Sequence, residues 1–125
     1  MFEWDQFLDL ARQLGKQTDS EAALRSAISR AYYAVLGIAY LQLIDSGWIL
    51  PQRGSMHHHV WSTYRDSGDS RREEVGEAGF NLRNARNFAD YRRRFPDSLP
   101  LATTRALRSA QRMIALLHQI DADNA

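Results

Sequence analysis

The segment from Ser20 to Asp45 constrains the fold more than any other part of this chain, because most of it is apolar all the way round a helix. From Ala31 to Ile44 only Gly37 and Gln42 interrupt the apolar and aromatic residues. A helix of this kind must be buried on most of its sides. Two helically spaced stripes cover the circumference: Leu24, Ile28, Ala31, Val35, Ile38 and Ala39 in the first, and Tyr33, Leu36, Tyr40, Leu43 and Ile44 in the second.

A membrane span is the alternative explanation for this segment. Arg30 and Asp45 bracket a run that is shorter than the roughly 20 apolar residues a span needs. We therefore predict a core helix with other helices packed around it. No basic region followed by an apolar stretch opens the chain, so we expect no signal peptide and a cytoplasmic location.

Composition bounds the class of protein. The 125 residues suffice for one domain, 1–125, and cysteine is absent, which excludes disulfides, thiolate zinc sites and a catalytic thiol. The net charge of +1 provides no global basic field for nucleic acid. Lys16 is the only lysine and the other basic residues are arginines, which suit phosphate or carboxylate contacts. A compositional bias of the genome would give the same pattern.

A first helix is predicted from Phe2 to Gln17, where apolar residues recur at intervals of three and four positions. Thr18 is the expected N-cap of the central helix, and Glu21 completes a capping box. The central helix should end at Ser46 and Gly47. The inward stripe of the first helix is predicted as Trp4, Phe7, Leu8, Ala11 and Leu14.

A short third helix is predicted from Met56 to Arg65, with Ser55 as its cap and the loop from Trp48 to Gly54 before it. Its histidines, His57 to His59, are adjacent in sequence. Adjacent side chains on a helix point about 100° apart, so these three cannot chelate one metal ion together from a helix. We predict no metal site and no cofactor.

A fourth helix is predicted to begin with a capping box formed by Ser70 and Glu73. It should end by Phe95, because the residue before Pro96 resists the helical conformation. Two glycines in its first turns weaken this prediction. The predicted buried stripe is Val75, Ala78, Leu82, Ala85 and Ala89.

A last helix is predicted to open at Ser98 and Pro100, and the tail from Asp121 to Ala125 should be frayed. No strand pattern or repeat is present in the sequence. The fold class is therefore all-α, an antiparallel bundle of four to five helices. The residues expected to face inward on the last helix are Ala106, Ala110, Met113, Ile114, Leu117 and Ile120.

The most informative polar residues share one flank of the predicted fourth helix: Arg83, Arg86, Asn87 and Asp90. Arg86 and Asp90 stand four residues apart and could pair, as could Asn87 and Tyr91. The run from Arg92 to Arg94 adds positive charge at the negative end of the helix dipole. A solvent-exposed helix face, with basic residues that offset the helix dipole at its carboxyl end, would have the same pattern.

Two segments resemble the HEPN family of small helical bundles. One runs from Ala27 to Ala34 (AISRAYYA) and is accompanied by a histidine near the start of the third helix. The other runs from Arg86 to Tyr91 (RNFADY) and is similar to the Arg-Asn-x-Ala-Asp-Tyr signature of that family's fourth helix. In order and spacing the resemblance extends from about Ser20 to Ile120.

This resemblance implies a HEPN-like domain of a prokaryotic toxin–antitoxin or antiviral defence system. It also implies a homodimer, RNA as a ligand, and a small nucleotidyltransferase antitoxin supplied in trans. Active family members are metal-independent endoribonucleases with a composite site at the dimer interface. The candidate catalytic residues are Arg86, Asn87, Asp90 and Tyr91. The candidate RNA- or partner-binding residues are Arg83, Arg30, Arg92, Arg93, His57 and His58.

The sequence departs from the nuclease motif at Tyr91, which stands where the family's catalytic histidine would be. Tyrosine ionises near pH 10, so Tyr91 is a poor general base, although it could donate a proton or stack on a base. The histidines from His57 to His59 could substitute only if the third helix lies near Arg86.

Two hypotheses follow. The first is a non-catalytic module that binds RNA or a nucleotidyltransferase, with a degenerate nuclease motif. The second is an endoribonuclease toxin in which Arg86 holds phosphate while Tyr91 or a nearby histidine moves protons. In either case Trp48, Trp61 or Phe88 would anchor the homodimer if exposed, unless all three lie in the core.

Overall fold

Five α-helices make up the computed structural model, which describes residues 1–124. No strand occurs in this range, so the predicted all-α class is confirmed. The central helix α2 contacts all four other helices, as its apolar circumference predicted. The helices are α1 (Asp5–Gly15), α2 (Glu21–Asp45), α3 (Met56–Arg65), α4 (Ser70–Tyr91) and α5 (Leu99–Asp123).

Two of the predicted helix caps are wrong. Ser20, not Thr18, is the N-cap of α2 and accepts a hydrogen bond from the Ala23 amide at 3.1 Å. A turn in which the Ser20 amide donates to the Gln17 carbonyl delays the start of the helix. Asp69 caps α4 and accepts from two backbone amides. A carboxylate accepts both bonds at once, which accounts for the cap lying one residue before the predicted Ser70.

Some helix ends also differ from those predicted. The helix α1 is shorter at both ends than the predicted 2–17. The helix α4 ends at Tyr91, before Phe95 as predicted. The backbone of Arg92 is extended, with φ −89° and ψ 125°. At the other end of the chain α5 continues to Asp123, so the predicted fraying does not begin at Asp121. The last residue of that predicted tail, Ala125, lies outside the described residues.

Large aromatic side chains fill the core between α2, α3 and α4. Tyr32, Trp61 and Tyr64 are essentially inaccessible to solvent. Tyr64 donates its hydroxyl to the Ala39 carbonyl at 2.8 Å. The prediction that Trp61 could anchor a dimer is therefore wrong, whereas Trp48 is exposed. All six predicted inward residues of α5 are buried as expected.

Glycines in α4 are packing positions rather than weak points of the helix. A Cβ atom at Gly79 would lie 2.2 Å from the Trp61 ring, and one at Gly76 would lie 2.4 Å from the backbone nitrogen of Arg65. Only glycine lets α3 approach α4 this closely. The sequence prediction treated both residues as unfavourable for the helix, because a helical pattern does not show what packs against it.

The helix α2 also meets a simple criterion for a membrane span, with 25 residues and a mean hydropathy of 1.3 in its best window. More than half of that window, 56%, is buried inside the bundle. The core helix of a water-soluble bundle passes the same criterion, so this is weak evidence for a membrane location.

We predict that Gly79→Ala destabilises the protein. In a solvent-exposed helix the same change would stabilise by about 1 kcal/mol. Here the added methyl group overlaps the Trp61 ring, so the free energy of unfolding should fall by about 1–3 kcal/mol. Urea denaturation measures the change, and Glu77→Ala, at an exposed position on the same helix, is the control. A stability equal to or above that of the parent protein would contradict the packing of Trp61 on Gly79.

Candidate functional site

Arg86 lies at the centre of the candidate site, on the side of α4 that faces α2. Only 6% of this residue is exposed. Its guanidinium carbon is 5.4 Å from the ring centroids of both Tyr32 and Tyr33 on α2. The ring of Tyr91, five residues later on α4, is 5.7 Å away. Three aromatic rings therefore surround a positive charge that is almost completely removed from water.

The charge of Arg86 is only partly balanced. Its Nη1 lies 3.6 Å from Oδ2 of Asp90, which is beyond ordinary hydrogen-bond distance, and 3.5 Å from the Tyr91 hydroxyl. Ser29 on α2 donates to the same Asp90 oxygen at 3.1 Å. The Nε of Arg86 is buried without a hydrogen-bond partner within residues 1–124. A guanidinium has five N–H donors, so Arg86 retains unused capacity for an anion.

A chain of hydrogen bonds links α3 to this site. Trp61 donates its Nε1–H to the Tyr32 hydroxyl oxygen at 3.0 Å. The same oxygen lies 2.7 Å from Nδ1 of His57, and the two rings are stacked with centroids 5.6 Å apart. Because the indole is only a donor, the Tyr32 proton is free to be donated to His57 Nδ1, which places the imidazole proton on Nε2.

Both members of the Tyr32–His57 pair are neutral near pH 7. Burial lowers the pKa of His57, and the positive charges of Arg83 and Arg86 lower it further. Burial raises the pKa of Tyr32 to about 12 although the hydrogen bond from Trp61 opposes this shift. The short contact between them is therefore a hydrogen bond between neutral groups and not an ion pair.

Two further arginines flank Arg86. Arg83 lies one turn earlier on α4 and donates to Oγ of Ser55 at 3.2 Å. Arg30 lies on α2 with its guanidinium carbon 5.2 Å from the ring of Tyr33, so Tyr33 contacts both Arg30 and Arg86. Helices α2 and α4 thus contribute positive groups to one surface. We refer to these residues as the Arg86 cluster: Arg30, Tyr32, Tyr33, His57, Arg83, Arg86 and Asp90.

Two candidate catalytic residues lie at the edge of the Arg86 cluster. Tyr91 reaches Arg86 with its hydroxyl but is 76% exposed. Asn87 is half-buried on the neighbouring face of α4. The site thus combines a buried guanidinium with an exposed aromatic ring.

Three other sequence candidates lie apart from the cluster. His58 is exposed, has its Nε2 3.2 Å from Oγ of Ser62 and packs on the ring of Phe80. Arg92 stacks on Phe88, on another side of α4. Arg93 is exposed. These residues do not contribute to the geometry around Arg86.

The exposed arginine run is held in place by Arg25, which sequence analysis did not identify. From α2 its Nη1 donates to the Phe88 and Ala89 carbonyls at 3.3 and 3.0 Å and also to the Arg92 carbonyl. Its Nη2 donates to the carbonyl of Arg93 at 3.2 Å. Arg25 thereby caps the carboxyl end of α4, where carbonyls lack helical partners.

A groove of about 400 Å³ lies between α4 and α5, with Phe88, Phe95 and Ala102 among its lining residues. No residue of the Arg86 cluster is among those that line this groove. The groove is therefore separate from the Arg86 cluster. Among residues 1–124, no three or more histidine, aspartate and glutamate side chains are arranged to hold a metal ion.

Comparisons with protein-family models, with curated proteins and with solved structures find no match to this chain. The fold and the site define a small all-helical protein with a largely buried cationic site. Its function must be argued from that geometry and from the motifs of the sequence.

Sequence analysis missed Ser29, Tyr32 and Tyr33 as site residues although all three lie in the AISRAYYA segment. Ser29 precedes Tyr32 by three residues and Tyr33 by four, which puts them on one helix face and was the available signal. For Arg25 no signal was available, because its partners are backbone carbonyls more than 60 residues away. Such contacts follow only from the packing of α2 against α4.

We predict that Arg25→Gln lowers the free energy of unfolding by about 1.5–3 kcal/mol, since hydrogen bonds from a charged donor to the end of α4 are lost. Thermal or urea denaturation measures the change. Arg12→Gln is the matched control, because Arg12 is exposed and contacts only Asp9 in the neighbouring turn. Equal effects of the two substitutions would contradict a capping role for Arg25.

Proposed function

We propose that this protein is a HEPN-type domain of a toxin–antitoxin or antiviral defence system, and that it acts as an RNA-binding module with Arg86 as its phosphate-binding group. The observation that carries the proposal is the burial of Arg86 with unused donors among three aromatic rings. Arg86 is also the first residue of the RNFADY motif, so the geometry and the resemblance point to the same side chain.

A phosphate would supply what the surroundings of Arg86 lack. A buried charge costs several kcal/mol unless it is paired with good geometry, and the single contact with Asp90 is long. The planar guanidinium binds phosphate through two parallel hydrogen bonds. A ligand phosphate at Arg86 would also be attracted by Arg83 and Arg30, which lie at the same surface.

The exposed ring of Tyr91 favours RNA over a free phosphate. An aromatic ring beside a phosphate-binding arginine offers a stacking surface for an unpaired base. In the proposed complex Arg86 holds the backbone and Tyr91 stacks on a neighbouring base. This role does not require Tyr91 to transfer a proton, and it accounts for tyrosine at the position where nuclease members have histidine.

The proposal includes a homodimer and a nucleotidyltransferase antitoxin encoded as a separate chain, both as implied by the resemblance. Either partner could cover the exposed Trp48 and Tyr91, since exposed aromatic residues are frequent interface anchors. We also place the protein in the cytoplasm, where RNA and such a partner are available.

We predict that Arg86→Gln weakens binding of a single-stranded RNA oligonucleotide about tenfold or more, as expected for loss of a charge-assisted hydrogen bond. Tyr91→Ala should weaken binding at least severalfold through the lost stacking. Fluorescence anisotropy at fixed salt measures both affinities. Sedimentation of the same samples tests whether the binding species is the proposed dimer of a 14.4 kDa chain.

Arg108→Gln is the matched control, because Arg108 is exposed on α5. Since Arg86 is buried, Arg86→Lys provides a variant that keeps the charge but loses the planar fork, and circular dichroism verifies its fold. Tyr91 is exposed, so its substitution tests the same site with little risk to folding. If the Arg86 and Tyr91 variants fold and bind RNA with unchanged affinity, Arg86 and Tyr91 do not form the RNA-binding site.

A metal-independent endoribonuclease is the second candidate, and the position of His57 favours it. Helix α3 does lie next to the site, as this hypothesis requires. His57 is hydrogen-bonded to Tyr32, and the ring of Tyr32 contacts Arg86. In the reaction the 2′-oxygen forms a bond to phosphorus and the bond to the 5′-oxygen breaks. A base takes the 2′-hydroxyl proton and an acid protonates the 5′-oxygen.

We predict for this candidate that the purified protein cleaves a mixed RNA pool in EDTA, leaving 2′,3′-cyclic phosphate and 5′-hydroxyl ends. Cleavage should be lost in Arg86→Ala and in His57→Ala and be retained in His58→Ala. Gel analysis of end-labelled RNA reports both products. If neither the parent protein nor the variants cleave RNA while the parent protein binds it, the non-catalytic module stands and the enzyme does not.

A further inference from the structure

His57 has contacts that an ordinary surface histidine lacks. Its ring is stacked on Tyr32 and meets the edge of Tyr33 with centroids 6.0 Å apart. The hydrogen bond with Tyr32 fixes the ring through Nδ1, so that Nε2 remains for another partner. Trp61 in turn fixes the Tyr32 hydroxyl. The side chain is therefore held in one orientation beside the positive groups of α4.

We propose that His57 is a further phosphate-binding group of the Arg86 cluster and that RNA binding is coupled to the uptake of one proton by His57. This inference depends on the proposed function, because it assumes that an RNA phosphate binds at Arg86. In the complex the imidazolium would donate its Nε2 proton to a phosphate oxygen while Arg86 donates to the same phosphate group.

The charged and titratable groups around His57 come from two helices. On α4 they are Arg83 and Arg86, the second of which contacts the carboxylate of Asp90. On α2 they are Tyr32, whose hydroxyl contacts His57, and Tyr33, whose ring meets His57 and also carries Arg30. Positive groups outnumber negative ones, so a proton on His57 is unfavourable until an anion enters.

A bound phosphate reverses this balance. Its negative charge offsets the fields of Arg83 and Arg86, and the hydrogen bond from Nε2–H to a phosphate oxygen is stronger from the imidazolium than from the neutral ring. Protonation therefore becomes easier in the complex than in the free protein. By linkage, the complex binds more protons than the separate components, so RNA affinity rises as the pH falls.

Tyr32 limits when the proton can be taken up. In the free protein the hydroxyl donates to the unprotonated Nδ1. A proton on Nδ1 would turn that contact around, so that the Tyr32 oxygen accepts from both Trp61 and His57. The hydroxyl hydrogen of Tyr32 would then have to rotate away from Nδ1 and would lose its acceptor in a buried position. Burial and this hydrogen bond both hold His57 neutral, which makes its protonation dependent on the ligand.

The test measures RNA affinity from pH 7.5 to pH 5.5 at constant ionic strength. The probe is a single-stranded oligouridylate with a 5′-hydroxyl end, because terminal phosphates titrate near pH 6. The parent protein should bind roughly three- to tenfold more tightly at pH 5.5 than at pH 7.5. His57→Gln should remove this dependence, while His58→Gln, which changes the adjacent exposed histidine, should retain it.

The ring protons of His57, followed by NMR, provide a second measurement. Their titration midpoint should move to higher pH when RNA is added. An affinity that is independent of pH in the parent protein, or equally pH-dependent in His57→Gln, overturns the inference and leaves the proposed function standing. Failure of the parent protein to bind RNA at any pH overturns the proposed function itself.

Discussion

The candidate site depends on how Trp61 fits between α2 and α4. Because Gly79 has no Cβ, the indole ring can lie directly against the α4 backbone. In that position its Nε1 reaches the Tyr32 hydroxyl, and Tyr32 then reaches His57 while its ring faces Arg86. One packing contact between two helices thus determines the orientation of a polar chain that ends at the site. The packing of Trp61 in the core therefore also sets the positions of Tyr32 and His57 at the site.

A purely structural role for Arg86 is the alternative that any functional interpretation must answer. Replacing a buried ion pair with apolar residues is often neutral or stabilising, so stability alone is a poor reason to bury an arginine. A structural arginine is expected to engage its terminal nitrogens in several hydrogen bonds, as Arg25 does with four backbone carbonyls. The Nε atoms of both arginines lack a hydrogen-bond partner, but the terminal nitrogens of Arg86 make only long contacts, 3.6 Å to Asp90 and 3.5 Å to the Tyr91 hydroxyl. The contrast within one molecule favours a ligand-binding role for Arg86.

The sequence predicted the parts of the fold that depend on local periodicity. The apolar circumference of α2 and the bounds of α3 were confirmed, because helical spacing determines them directly. The caps of α2 and α4 were misplaced by one or two residues, since neighbouring polar side chains compete for the same amides. Of the site, the four-residue spacing of Arg86 and Asp90 indicated that they could pair, and they do approach each other. The approach of His57 required the packing of α3 on α4, which no local pattern contains.

The overall charge of the protein and the charge of its candidate site have different consequences. With a net charge of +1, the molecule has no long-range attraction for RNA, so nonspecific binding along the backbone should be weak. The arginines of the cluster meet at a single surface, and Tyr33 contacts both Arg30 and Arg86. Few phosphates can be neutralised by so small a site. Any affinity for RNA must then come from short-range hydrogen bonding and stacking, which depend on the geometry fixed by Trp61 and Tyr32.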